Sequence, residues 1–128
     1  MAETDRKRIL VVDDEPEVRR VYKELLEQHG YHVDTAASGK EAWKASNAIA
    51  YDLVHMDISM PDWDGMDAIV SMTLSKSSIP ILVVSGFLTE DVIKEIDGEP
   101  NVKGYMEKPT DPEAYLRAVR SILDRPEL

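Results

Sequence analysis

The sequence predicts a doubly wound α/β domain, a five-stranded parallel β-sheet with helices on both faces. Three observations carry that expectation. Five β-like runs alternate with five helix-like ones along the chain. Two of the β-like runs, residues 9–12 and 79–84, are strongly apolar, as strands buried on both faces must be. The length of 128 residues suits one domain with a single core. Strict alternation of strand and helix implies right-handed crossovers, which leave the strands parallel beneath two helical layers.

The first strand is Ile9-Leu10-Val11-Val12. A helix follows with Val18, Val21, Tyr22, Leu25 and Leu26 at helical spacing, Pro16 near its start and Gly30 just past its end. His32–Ala36 reads as the second strand. Ser38 and Glu41 then form a capping-box pattern opening a helix with Ala42, Ala45 and Ile49 on one side. The third strand, Leu53–Met56, runs into Asp57. A polar loop punctuated by Pro61 and Gly65 leads to a helix carrying Met66, Ile69, Val70 and Leu74. Residues 80–84 form the fourth strand. The helix after it, about residues 89–96, offers only Val92, Ile93 and Ile96 for packing, and Asp97-Gly98-Glu99-Pro100-Asn101 breaks it. Residues 102–106 are the last strand. Asp111 caps a final helix with Pro112 at its first position and Tyr115, Leu116, Val119, Ile122 and Leu123 at 3–4 spacing. No repeat, low-complexity segment or linker interrupts this order, and residues 1–128 are expected to form one domain with its core at about 8–124.

Composition narrows the function classes. At 43% hydrophobic and 31% charged residues the chain is neither disordered nor collagenous. It has no cysteine, which excludes a disulfide framework, a thiol nucleophile and a Cys-ligated metal and fits a reducing compartment. The apolar runs are too short to span a bilayer, and the first eight residues do not lead into a signal-type apolar core. A cytoplasmic domain is expected. Lys+Arg 15 against Asp+Glu 25 gives a formal net charge of −10, so nucleic acid is not expected as a direct ligand. The one basic cluster, Arg6-Lys7-Arg8, reads as a solvated lead-in to the first strand.

In open α/β sheets, ligands bind beyond the carboxyl ends of the strands. The first strand ends in Asp13-Asp14, the third in Asp57, the fourth in Ser85-Gly86 and the fifth in Lys108-Pro109. Each is ordinary alone: acidic residues after a strand serve as helix caps, and Ser-Gly and Lys-Pro are common loop pairs. Together they deliver three carboxylates, a hydroxyl and an ammonium to one edge. The mutual repulsion of three carboxylates calls for a cation or a raised pKa. A set of oxygen ligands favours Mg²⁺, Mn²⁺ or Ca²⁺ over zinc or copper.

The set Asp13-Asp14, Asp57-Ile58-Ser59-Met60-Pro61-Asp62-Trp63-Asp64-Gly65, Ser85-Gly86 and Lys108-Pro109 resembles the receiver domain of two-component response regulators. The agreement runs from Ile9 to about Leu123 in element order and spacing. The resemblance implies a flavodoxin-like (βα)5 fold and a phosphoacceptor module of a two-component phosphorelay. It implies Asp57 as the nucleophile that takes a phosphoryl group from a sensor histidine kinase or phosphotransfer protein. It implies Mg²⁺ held directly by Asp14 and Asp57, through water by Asp13, and by the Ser59 backbone carbonyl. Lys108 would pair with a phosphoryl oxygen, Pro109 would fix its loop (a preceding cis peptide is common in the family), Ser85 would hydrogen-bond the phosphoryl, and Gly86 would leave room for the donor. Ser85 and Tyr105 would switch on phosphorylation, with Tyr105 swinging inward. The readout to a downstream protein or output domain would lie on the face of the fourth helix, fifth strand and fifth helix. Tyr105 also reads simply as a half-buried strand aromatic.

The chain departs from the family pattern at Thr110, where most relatives have Phe, and at Asn101-Val102, where Gly-Ala is usual. Packing under the Lys108 loop is expected to differ for that reason. Ser59 holds the position that in the family tunes phosphoryl lifetime. His29 and His32 read as solvent-facing, His55 as a satisfied structural histidine, Trp43 and Trp63 as packing or rim residues, and Met56, Met60, Met66 and Met72 as core or loop filler.

The main rival is a Mg²⁺-dependent phosphohydrolase with Asp57 as nucleophile. Haloacid-dehalogenase-type phosphatases carry a second Asp two residues on, where this chain has Ser59, and their nucleophile ends the first strand of the core. A flavodoxin-type binder lacks support because no Gly/Ser/Thr-rich phosphate loop follows the first strand. A phosphate-independent scaffold would need a missing site residue. No output segment follows the last helix within these residues, so a single-domain regulator and a receiver cut from a longer protein both remain open.

Overall fold

The computed structural model describes residues 6–59, 65–74 and 78–124. Strands and helices alternate as β1 (Arg8–Val12), α1 (Pro16–Gln28), β2 (His32–Ala36), α2 (Gly39–Ala48), β3 (Leu53–Met56), α3 (Gly65–Leu74), β4 (Ile81–Ser85), α4 (Glu90–Asp97), β5 (Val102–Glu107) and α5 (Pro112–Leu123). The strands pair in parallel in the order β2-β1-β3-β4-β5. The chain moves outward from β1 to β2, then returns to build β3, β4 and β5 on the other side of β1. The crevice where that direction reverses, between β1 and β3, is where such folds place their ligands.

The apolar runs divide between two layers as the pleat requires. Leu10, Val12, Val54, Met56, Ile81 and Val83 face Ala42 of α2, Ala68, Ile69 and Met72 of α3, and Ile96 of α4. Ile9, Val11, Leu53, Leu82 and Val84 face Tyr22 and Leu26 of α1 and Tyr115, Leu116, Val119 and Ile122 of α5. This two-sided burial is why β1 and β4 carry apolar residues without alternation.

The expected caps at Ser38 and Asp111 form, and Thr89 supplies a third that was not expected from the sequence. Ser38 Oγ accepts from the Glu41 amide at 3.1 Å, Thr89 Oγ1 from Val92 at 3.2 Å, and an Asp111 carboxylate oxygen from Ala114 at 2.9 Å, each satisfying an orphan helix donor. Gly30 sits at φ +90°, in the left-handed region that glycine tolerates best.

Several expectations need correction. Arg8 is part of β1, not a solvated lead-in, and its guanidinium lies 3.4 Å from Asp34. The apolar side of α3 is Ala68, Ile69 and Met72, whereas Val70 and Leu74 are exposed. In a helix this rich in apolar residues, spacing does not select which side faces the sheet. Val21 is 56% exposed because it borders an open cleft, and Ile49 falls beyond the end of α2, exposed. The fourth strand starts at Ile81 and extends through Ser85. Trp43 packs against the core as expected, Asn101 is buried, and His29 is exposed. Met56 and Met72 are core residues. Trp63 and Met60 lie outside the described residues.

Candidate functional site

The strand ladders continue one residue past β1, β3 and β5, and this places the site. The Asp13 amide donates to the Ala36 carbonyl at 3.2 Å, that of Asp57 to Val12 at 3.0 Å, and that of Lys108 to Ser85 at 2.9 Å. The side chains that follow therefore emerge at one edge of the sheet. Asp13, Asp14 and Asp57 each bring one carboxylate oxygen within 4.8 Å of the others. Asp13 and Asp57 are buried and Asp14 is exposed at the mouth.

Lys108 Nζ reaches between them, 2.5 Å from Asp13 Oδ2 and 3.2 Å from Asp57 Oδ2. The opposite oxygens are also engaged: Asp13 Oδ1 accepts from the Glu15 amide and Asp57 Oδ1 from the Ser59 amide, both at 2.9 Å. The Lys108–Pro109 peptide is cis, as the family resemblance implies. Burial pushes the Asp57 carboxyl up from its usual range, and the charge of Asp13 adds to this, while the Ser59 amide and Lys108 oppose it. Burial works to lower Lys108, but its bond to Asp13 and the charges of Asp57 and Asp13 prevail and hold the ammonium above the usual lysine range. One ammonium against three carboxylates leaves a negative pocket of hard oxygen donors. That donor set fits a divalent cation of the Mg²⁺ type.

Ser85, at the end of β4, is buried, and its Oγ lies 2.9 Å from Ser59 Oγ and accepts from the Phe87 amide at 3.3 Å. A Cβ built on Gly86 meets nothing within 4 Å, so the mouth is open there. Tyr105 on β5 is 43% exposed. Of the Asp57–Gly65 run, residues 60–64 lie outside the described residues.

Beneath the site the structure shows what spacing along the chain does not. His55, two residues before Asp57 on β3, is fully buried between Tyr22 and Tyr115, with ring centroids 4.6 and 5.5 Å away. Its Nδ1 lies 2.7 Å from Tyr115 Oη, while its Nε2 has no hydrogen-bond partner. It is thus a structural histidine only half satisfied. Burial pushes its pKa down to about 3, so the ring stays neutral. Tyr22 Oη in turn lies 2.7 Å from Thr110 Oγ1, a contact beneath the Lys108 loop. Arg19, also missed, donates to the Asp13 carbonyl at 2.6 Å. Its only sequence signal is a basic residue one turn into the helix that follows two aspartates.

Residues 9–120 match the response regulator receiver domain family. The chain belongs to that family. This receiver domain is 34% identical over 122 residues to the alkaline phosphatase synthesis transcriptional regulatory protein PhoP of Bacillus subtilis, covering 95% of this chain and 50% of PhoP. It is 36% identical to the probable transcriptional regulator ycf27 of Cyanophora paradoxa, covering 98% of this chain and 52% of that protein. The chain thus spans about half the length of these curated relatives. Among solved structures it resembles the response regulator TrrA of Thermotoga maritima in complex with Mg(2+)-BeF, at 32% identity and a TM-score of 0.81 over 91% of this chain and 98% of that one. A CheY-like receiver domain protein from Methanospirillum hungatei gives a TM-score of 0.87 at 26% identity, covering 94% and 95% of the two chains. The flavodoxin-like parallel fold and the signalling-module reading follow. Among the described residues no helix is long and apolar enough to cross a membrane.

Proposed function

We propose that this receiver domain takes a phosphoryl group onto Asp57 from a phosphohistidine of a sensor histidine kinase or phosphotransfer protein. The observation that carries this is the Asp57 carboxylate itself. It is buried at the switch-point crevice, oriented by the Ser59 amide and Lys108, and grouped with Asp13 and Asp14 within 4.8 Å. An Asp57 oxygen attacks phosphorus, the phosphorus–nitrogen bond to the donor histidine breaks, and its electron pair stays on the imidazole, which picks up a proton. The product is an aspartyl phosphate. Asp13, Asp14, Asp57 and the Ser59 carbonyl would hold Mg²⁺, which when bound neutralises charge on the phosphoryl oxygens. Lys108 exchanges its bond to Asp57 for one to a phosphoryl oxygen.

The added charge and acceptors then draw the Ser85 hydroxyl away from Ser59, and Tyr105 turns inward. Output passes through the α4–β5–α5 face to a downstream protein or an attached output domain. The reading takes residues 1–128 as one cytoplasmic receiver domain that does not itself bind nucleic acid, in keeping with its net charge of −10. It also makes the domain a phosphoacceptor that assists its own phosphorylation and dephosphorylation, and not a phosphohydrolase acting on external substrates.

Intact-protein mass spectrometry after incubation with acetyl phosphate tests it. A single Mg²⁺-dependent phosphoryl adduct on the wild type, lost in Asp57→Asn, is the expected result. An adduct kept by Asp57→Asn at the wild-type rate overturns the assignment, as does a folded wild type that takes neither phosphoryl nor beryllofluoride.

A further inference from the structure

We propose that Tyr22 and Thr110 are positioning residues for Lys108, their hydroxyl–hydroxyl bond tethering the loop that carries the ammonium. The inference rests on the phosphoacceptor reading above. Lys108 must serve two carboxylates that follow different strands, Asp13 after β1 and Asp57 after β3. A lysine side chain is a point charge on a flexible four-carbon stem, so where its ammonium settles depends on how the backbone beneath it is held.

On its upstream side that backbone is fixed by the Lys108 amide bonded to the Ser85 carbonyl at 2.9 Å. Downstream, Pro109 has no amide hydrogen to give, and the next anchor is Thr110. Its Oγ1 lies 2.7 Å from Tyr22 Oη. Packing does not replace that bond, because the outer side of the loop faces an open cleft lined by Val18, Val21, Pro109 and Pro112.

Tyr22 is suited to act as a post. It is buried, and its ring is wedged against His55 at 4.6 Å and Tyr115 at 4.7 Å between centroids. His55 belongs to the strand that ends in Asp57 and is bonded to Tyr115 at 2.7 Å. One aromatic cluster therefore stands under both the Asp57 strand and the Lys108 loop, and it sets their spacing. The tether joins residues 88 apart in sequence.

The test follows the rate of phosphorylation by acetyl phosphate in the full chain with Mg²⁺ present, and beryllofluoride affinity as a readout independent of rate. Tyr22→Phe and Thr110→Val should each slow labelling about 3–10-fold, the scale of one lost neutral hydrogen bond, and weaken beryllofluoride binding by a similar factor. Combined, they should cost no more than either alone. Thr110→Ser, which keeps the hydroxyl, should restore both. In a Lys108→Ala background, followed over longer incubation, Tyr22→Phe and Thr110→Val should cause no further slowing.

Wild-type rates in Thr110→Val, or an equal fold-loss with and without Lys108, overturn the tether. Should Tyr22→Phe fail to fold, the half-buried Thr110 pair of variants decides alone. An adduct that survives Asp57→Asn sinks the phosphoacceptor reading instead. Asp57-dependent labelling that ignores Thr110→Val sinks only this inference.

Discussion

The two sides of the crevice are held by different means. Under Lys108, the carboxylates of Asp13 and Asp57 are bonded to the ammonium and to backbone amides, and a buried cluster of Tyr22, His55 and Tyr115 supports them. Around Ser85, the hydroxyl has a neutral partner in Ser59 and a long bond from Phe87, and the neighbouring aromatics Phe87 and Tyr105 are exposed, Phe87 to 68%. Helix α1 spans 13 residues and buries Tyr22 and Leu26, whereas α4 spans 8 and buries Ile96. If Asp57 accepts a phosphoryl group as proposed, the charged side is arranged before that group arrives. On the same proposal the neutral side would give up few contacts in moving, which would suit it to report the event.

The largest expected break of this contrast is in the core. Leu26→Ala should cost about 2–5 kcal/mol in urea unfolding, while Val92→Ala on α4, only partly buried, should cost about 1 kcal/mol or less. Equal losses would erase the difference between the two sides.

Acid should separate them next. His55 stays neutral in the fold down to about pH 3, whereas unfolded histidine takes up a proton near 6.5. The unfolded state therefore binds the extra proton between those values, and stability falls as pH drops through that window, by up to about 1.4 kcal/mol per pH unit. Unfolding of wild type and His55→Phe from pH 7 to 5 measures this, and the variant should show the flatter slope. Parallel slopes would remove His55 from the account.

Tyr115→Phe leaves the buried Nδ1 of His55 without a partner and should cost about 1–3 kcal/mol, with His55→Phe/Tyr115→Phe recovering part of it. Smaller than the Tyr115→Phe effect, Ser59→Ala removes only the hydroxyl pair on the neutral side and should change stability by about 0.5–1.5 kcal/mol. It should release Ser85, read as a shift of the Ser85 amide resonance by NMR. A Ser59→Ala effect as large as that of Tyr115→Phe would mean the neutral side is as tightly built as the charged one.

The fold was legible because continuous apolar runs at β1 and β4 admit little besides doubly covered strands, and because caps such as Ser38 and Asp111 are local chemistry. The site was legible for a related reason: strand ends in a parallel sheet point to one edge, so Asp13, Asp57, Ser85 and Lys108 could be grouped without coordinates. Helix faces were less so. In α3 apolar side chains lie on more than one side of the helix, and the choice of Ala68, Ile69 and Met72 over Val70 and Leu74 is made by the sheet, not by the period. The support beneath the site left no local trace. His55 and Tyr115 are 60 residues apart and Tyr22 and Thr110 are 88 apart, so no spacing rule joins them.

The amides of Asp13, Asp57 and Lys108 all donate across the sheet at its carboxyl edge. Such hydrogens trade with deuterium only when neighbouring strands part, so they should be among the last in the chain to exchange. On the proposed reading, a signal received at these residues would be written on a backbone that hardly opens. The motions it sets off would then begin in side chains, and its passage should be invisible to the slowest amide clocks while the faster ones around Phe87 change their pace.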